Sequence, residues 1–323
     1  MMNRSILYQK FINDTESIFS TQSGYCIYNI NPFKKIYEEE FGGGIGIIDI
    51  NRTLGNVYIV GGGINPCFPT NNLVIRNYYT KENIETLYFN DIIRNVHVRD
   101  DIIVVSLIDT IFVYNINDYN IIRKIQTCNN LKGLFALNTN LSQNNKMRIV
   151  IPSKRQGELI LYDKYSNFPL DTIKIHESPI EYFTINNDGQ FLATCSTRGT
   201  VIKIYNFNTK EIKEYRRGYN QKKIHYLNFN IDCSKLICVS DTSLHIFKID
   251  NILGYLDYVF NTNFSFCVYT CDGKLIRTQF LDDNNIIIYD KDKLIQIKYD
   301  NNGKCSVTNL NTVYSSSSYP FIK

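Results

Sequence analysis

The feature that most limits the fold is a recurrence. Seven short runs rich in β-branched and aromatic residues, "GYCIYNI", "NLVIRNY", "TIFVYNI", "ELILYDK", "TVIKIYNF", "SLHIFKI" and "KLIQIKY", end in or near an apolar–aromatic–polar triplet. If Tyr28, Arg76, Tyr114, Tyr162, Tyr205, Phe247 and Lys298 mark equivalent positions, the intervals run from 38 to 51 residues. That is near the period of a propeller blade of four strands. Most units carry an upstream strand and a short turn, as in "FLATCSTRGTVIKIYNF" and "KLICVSDTSLHIFKI", where alternation and Val, Ile, Phe and Tyr content favour strand over helix. No unit holds the sustained helical periodicity that a βαβ crossover needs. The expected fold is all-β, a seven-bladed β-propeller of WD-repeat type spanning 1–314 as one domain, with a short Ser-rich tail at 315–323. The usual repeat marks are absent: the chain has no tryptophan, and only "LYD" at 161–163 keeps the aspartate of a Trp-Asp pair.

Composition excludes more than it identifies. With 44% hydrophobic residues the chain can build a packed core, and a net charge of +4 is too small to imply wholesale binding of nucleic acid. No window approaches the roughly 18 apolar residues of a membrane-spanning helix, so membrane contact would be peripheral. Nine scattered cysteines and an N-terminus without a sustained apolar core read as a cytosolic protein with free thiols.

Motifs for catalysis do not assemble. The glycine clusters "FGGGIGI" (41–47) and "VGGGINPCFP" (60–69) fit neither GxGxxG nor a Walker loop and read as turns between strands. Asp100–Asp101 and Asp282–Asp283 lie in polar, turn-like stretches. Cys267 with Cys271, and Cys233 with Cys238, have no second pair at zinc spacing. No catalytic residue, metal or cofactor is assigned, and the expectation is a protein that is not an enzyme.

The segment that carries chemistry is "EYRRGYNQKK", residues 214–223, between two apolar runs. Successive side chains of a strand point to opposite faces, so Arg216 and Arg217 would serve two pockets. Guanidinium groups bind phosphate through paired, charge-assisted hydrogen bonds, and each pocket would need further donors. The preceding unit offers His176, Ser196, Thr197 and Thr200; the following one offers Ser240, Thr242 and Ser243. Gly218 would let the backbone bend and leave room for a bulky anion. A solvated arginine pair at a strand end is the plain alternative.

From "HESPI" (176–180) through "YRRG" (215–218) to "YLNFN" (226–230), the chain resembles the fifth and sixth blades of the PROPPIN family, β-propellers that bind polyphosphoinositides and are marked by Phe- or Leu-Arg-Arg-Gly. "YNINPFKKIYEEEFGGGIGIIDI" and "VYIVGGGINPCFPTNNLVIRN" resemble the family's first and second blades; blades three and four rest on spacing alone. The resemblance implies one head-group pocket with His176, Ser196, Thr200 and Arg216, and a second with Arg217, Ser240 and Ser243. It implies phosphatidylinositol 3-phosphate and phosphatidylinositol 3,5-bisphosphate as ligands. Two departures are visible: "VSDTSL" is about two residues shorter than the family's usual turn, and Tyr215 replaces Phe or Leu.

In the family, a loop within the sixth blade inserts into the bilayer. Here "DNILGYLDYVFNTN" stands at that place, and as a helix it would present Ile252, Leu253, Tyr255, Leu256, Val259 and Phe260 opposite a polar stripe. The same segment could pack on the propeller instead. The reading is therefore a cytoplasmic protein attached peripherally to autophagosomal, endosomal or vacuolar membranes, with phosphoinositide-containing membranes and an autophagy-related lipid-transfer or conjugation protein as partners. A propeller scaffold without lipid binding is the alternative.

Overall fold

Strand-forming runs separated by short polar turns pair with their sequence neighbours, and each group of four closes into one antiparallel sheet. The computed structural model describes residues 5–313 apart from 140–146, 165, 167, 250–264, 271–274, 291–292 and 301. Among the described residues there are 28 strands and no helix. Blade one is β1–β4 (Ile6–Phe11, Glu16–Thr21, Gly24–Asn29, Lys34–Glu40), and blade two is β5–β8 (Ile45–Asn51, Asn56–Gly61, Asn72–Asn77, Asn83–Tyr88). Blade three is β9–β12 (Asn95–Val98, Ile102–Ser106, Thr110–Asn115, Ile121–Gln126), and blade four is β13–β16 (Ala136–Leu137, Arg148–Pro152, Glu158–Asp163, Asp171–Lys174). Blade five is β17–β20 (Ile180–Ile185, Phe191–Ser196, Val201–Asn206, Ile212–Arg216), and blade six is β21–β24 (Ile224–Phe229, Lys235–Ser240, Ser243–Lys248, Cys267–Thr270). Blade seven is β25–β28 (Leu275–Phe280, Asn285–Asp290, Lys293–Tyr299, Cys305–Thr312). The fold is a seven-bladed β-propeller, and all seven marker residues, Tyr28 to Lys298, stand on the third strand of their blade. The tail at 315–323 lies outside the described residues.

Each sheet has two faces to bury, and the core is accordingly divided into seven apolar clusters, one at each interface between neighbouring blades. Each blade is one contiguous stretch of chain, so the ring closes through side chains rather than through a shared strand. At the closure Phe19 packs edge-on to Tyr289, ring centroids 4.9 Å apart. The Tyr289 hydroxyl donates to Ser17 Oγ at 3.0 Å, and the Tyr28 hydroxyl donates to the Val313 carbonyl.

The two glycine clusters form more than turns. They bring backbone against backbone: the Gly44 and Cys67 amides donate to the Asn65 and Gly44 carbonyls at 2.7 and 3.0 Å. A Cβ at Gly61 would lie 1.7 Å from the Phe68 carbonyl oxygen, and one at Gly62 would lie 2.4 Å from Gly46 Cα. No phosphate loop is built.

One expectation is overturned. Cys267 and Cys305 are joined by a disulfide, although Cys26, Cys67, Cys128, Cys195, Cys233 and Cys238 are free. The two lie 38 residues apart in sequence, but β24 and β28 are the fourth strands of adjacent blades, and the ring sets these strands side by side.

Because the Gly61 clash is with backbone, Gly61→Ala should cost about 3 kcal/mol, the upper part of the overpacking range. Urea denaturation should show the lowered midpoint.

Candidate functional site

Strand β20 is the outer strand of blade five, and its register against β19 pairs Val201 with Arg216 and Lys203 with Glu214. Alternation divides its side chains. Tyr215 is 2% exposed, packs in the cluster between blades five and six, and sets its ring 5.8 Å from that of Phe247. Glu214 and Arg216 therefore take the opposite face, toward blade four. Past the strand end, the amides of Arg217 and Gly218 both donate to the Thr200 carbonyl, at 2.9 and 3.3 Å. This holds Arg217 on the same side as Tyr215.

On the blade-four side, His176 is buried in the connection from β16 to β17, with Nε2 2.9 Å from Thr194 Oγ1. Thr194 donates to the Lys203 carbonyl at 3.3 Å, and Lys203 Nζ pairs with Glu214 at 2.8 Å. Burial first, and then the Lys203 charge, push the His176 imidazole down to about 4, so it is neutral near pH 7. Ser196 lies two residues beyond Thr194 on the same face of β18, and its carbonyl accepts from the Gly199 amide at 2.9 Å, turning the hairpin. Arg216 is exposed and places its guanidinium 5.4 Å from the ring centroid of Tyr219. No ion pair to Arg216 exists among the described residues, and no hydrogen bond joins it to His176, Ser196 or Thr200. His176, Ser196 and Arg216 share one side of the blade without being tied together, whereas Thr200 stands opposite Arg217 in the register and is not brought to that side.

The blade-six side is more tightly built. Arg217 is buried; its Nε donates to the Gly199 carbonyl at 2.5 Å and a terminal nitrogen donates to the Asn220 carbonyl. Burial pulls its pKa below the usual arginine value, which leaves it charged. Ser240 Oγ and Ser243 Oγ are 2.7 Å apart, and Ser243 Oγ is 3.1 Å from His245 Nε2. His245 Nδ1 in turn lies 3.1 Å from Ser265 Oγ. Burial first, and then the Arg217 charge, push His245 down to about 4. His245 is the residue missing from the sequence reading, and alternation could have found it, since it stands two positions after Ser243 in "SLHIFKI". Asp241, in the shortened turn, is paired with His225.

The two glycines of the site differ. Gly199 has φ of +61° and a Cβ there would lie 1.8 Å from the Lys222 carbonyl oxygen, so the hairpin needs glycine. Gly218 has no left-handed φ, and nothing lies within 4 Å of where its Cβ would be. The chain bends at 219–220 without a glycine-specific conformation at Gly218, and the expected open space is present. The apolar residues Ile252, Leu253, Tyr255, Leu256, Val259 and Phe260 fall outside the described residues; their segment joins β23 to β24, the third and fourth strands of blade six.

The site so defined belongs to a propeller of seven antiparallel sheets whose rim carries two adjacent arginines in separate surroundings. Comparison with known proteins gives the family: the PROPPIN profile matches residues 14–313, and the chain is a member of the PROPPIN family. Autophagy-related protein 18 of Yarrowia lipolytica is 29% identical over 272 residues, covering 77% of this chain and 68% of that protein. Autophagy-related protein 18 of Dictyostelium discoideum is 32% identical over 253 residues, covering 77% and 66%. The chain thus spans about two thirds of the length of these relatives. Kluyveromyces lactis Hsv2 superposes with a TM-score of 0.80 at 20% identity, over 97% of this chain and 100% of that one. The complex of KlAtg21 with the coiled-coil of AgAtg16 gives 0.78 at 24% identity, over 95% and 99%. The chain is thus a seven-bladed propeller of the PROPPIN family, and the relatives it resembles bear autophagy-related names.

Two outcomes follow for stability. Arg217→Ala leaves the Gly199 and Asn220 carbonyls unmet and should cost about 1–3 kcal/mol, whereas Arg216→Ala, at an exposed position, should stay within about 0.5 kcal/mol; chemical denaturation separates them. His176 and His245 titrate near 4 in the fold and near 6.5 when unfolded. Their stabilisation is complete above pH 6.5 and falls as pH drops toward 4, by about 1.4 kcal/mol per pH unit for each histidine. Denaturation midpoints at pH 7 and pH 5 should show this loss, and a His176→Gln/His245→Gln variant should show less of it.

Proposed function

We propose that the chain is a peripheral membrane effector that recognises phosphatidylinositol 3-phosphate and phosphatidylinositol 3,5-bisphosphate through two rim pockets. His176, Ser196, Thr200 and Arg216 form the first; Arg217, Ser240 and Ser243, joined by His245, form the second. The observation that supports this reading is the pair of consecutive arginines on opposite faces of one strand end, with the His245 imidazole near Arg217 and the buried His176 on the side to which Arg216 turns. A guanidinium offers five N–H donors in a fork matched to phosphate. On the first side the fork of Arg216 stands free in solvent; on the second, Arg217 is oriented before any ligand arrives.

Bilayer attachment has two further contributors. Lys222 and Lys223 are exposed next to the arginines, and each adds about 1 kcal/mol of attraction to an anionic surface when close to it. The apolar side chains of 252–260 enter the membrane, each worth about 1.5–3 kcal/mol when buried. Bound in this way, the propeller recruits an autophagy-related lipid-transfer or conjugation protein to autophagosomal, endosomal or vacuolar membranes. A second reading, a propeller scaffold without lipid binding, is favoured by the engagement of Arg217 with two carbonyls, which gives that residue a purely structural use.

Flotation with liposomes decides between them. The wild type should float with vesicles containing phosphatidylinositol 3-phosphate and not with vesicles lacking it, and Arg216→Ala/Arg217→Ala should stay at the bottom. Equal flotation of both proteins would remove the lipid reading. Since Gly218 needs no special backbone conformation, Gly218→Ala should melt like the wild type yet bind the head group several-fold more weakly. Leu253→Ser/Leu256→Ser/Phe260→Ser should keep soluble head-group binding and lose retention on the bilayer.

A further inference from the structure

The innermost strands surround a channel along the propeller axis, and a cavity of about 210 Å³ lies within it, lined by six of the seven blades. Polar side chains reach it by strand alternation: Tyr8 and Lys10 from β1, His97 from β9, Tyr182 from β17, Tyr226 from β21 and Arg277 from β25. Their hydrogen-bonding inventory is unbalanced. Lys10 Nζ pairs with Asp49 at 2.5 Å and lies 3.0 Å from His97 Nδ1. An ammonium only donates, so His97 accepts at Nδ1 and, being neutral, carries its proton on Nε2.

The Lys10 charge is met by Asp49, but that of Arg277 is not. Its guanidinium stands 4.8 Å from the ring centroid of Tyr8, and the phenols of Tyr8, Tyr182 and Tyr226 are its electrostatic neighbours. Burial drives the phenols of Tyr182 and Tyr226 further toward their neutral form. Among the described residues no carboxylate lines the cavity and no ion pair to Arg277 is formed. A guanidinium brings five donors and no acceptor; each phenol can accept once and donate once, and the Tyr8 oxygen accepts from Arg277, which leaves the phenol O–H groups and the remaining guanidinium N–H groups as donors. A half-buried cation whose neighbours are neutral phenols is still favoured by a ligand that brings negative charge.

We propose that this axial cavity is a binding site for a small tetrahedral oxyanion of the phosphate or sulfate class, held by Arg277 and the hydroxyls of Tyr8, Tyr182 and Tyr226. The ion supplies further acceptors for these donors and a negative charge beside Arg277, and the cavity has room for it together with water. Donors converge from blades one, five, six and seven, so the ion binds across the ring closure and stabilises the folded ring by mass action. This site is independent of the rim arginines.

The test removes the rim first. Inorganic phosphate is titrated calorimetrically into Arg216→Ala/Arg217→Ala at constant ionic strength set with chloride, with thermal melts alongside. One phosphate per chain and a melting temperature raised by a few degrees are expected, and both should vanish when Arg277→Met is added. Absence of phosphate binding to the double variant, or binding unchanged by Arg277→Met, overturns the proposal. If Arg277→Met does not fold, Tyr182→Phe and Tyr226→Phe remove only hydroxyls; each should weaken phosphate binding about tenfold, the worth of one lost hydrogen bond, and undiminished affinity in both would refute the site.

Discussion

A four-stranded sheet with two apolar faces must be covered on both sides, and seven such sheets satisfy one another only as a closed ring. Every buried cluster of this protein bridges two blades, so no blade has a core of its own. The consequence reaches the rim. Because Tyr215 must enter the cluster between blades five and six, the parity of β20 is fixed, and with it the sides on which Arg216 and Arg217 emerge. A one-residue slip would exchange the two arginines and expose the tyrosine.

The same packing makes the two arginines unequal. Arg217 follows Tyr215 by two residues and stays at the blade interface, where backbone carbonyls of Gly199 and Asn220 hold it. Arg216 leaves the blade on the side toward blade four, where its guanidinium lies over the ring of Tyr219. In the proposed lipid reading the Arg217 site would be pre-organised, with little side-chain entropy left to lose on binding, and the other would have to order its arginine when a ligand arrives. Loss of Arg217 would then disturb both the fold and its proposed pocket, and loss of Arg216 only the proposed recognition.

Much of the architecture was legible in the sequence because strand alternation and turn chemistry are local. The seven runs found the third strand of every blade, and the opposite-face argument for Arg216 and Arg217 needed no more than the two-residue period of a strand. What stayed hidden depends on distance. The Cys267–Cys305 disulfide joins residues on different blades, the carbonyls that hold Arg217 have no side-chain signature, and the glycine clusters serve a backbone approach that no spacing reveals. His245 was within reach of alternation but was masked by its place in an apolar run.

The histidines make the same division between local and distant causes. His176 and His245 occupy corresponding roles on the two sides of β20, each buried, hydrogen-bonded to a hydroxyl and depressed to about 4. Their charges are kept off by burial first, and only secondarily by Lys203 and Arg217. An anion docking beside either imidazole would reverse the balance, because the negative charge favours the protonated form that burial disfavours. In the proposed pockets the neutral imidazoles would therefore be latent donors: each could take up a proton as a phosphate enters, adding a charge-assisted bond.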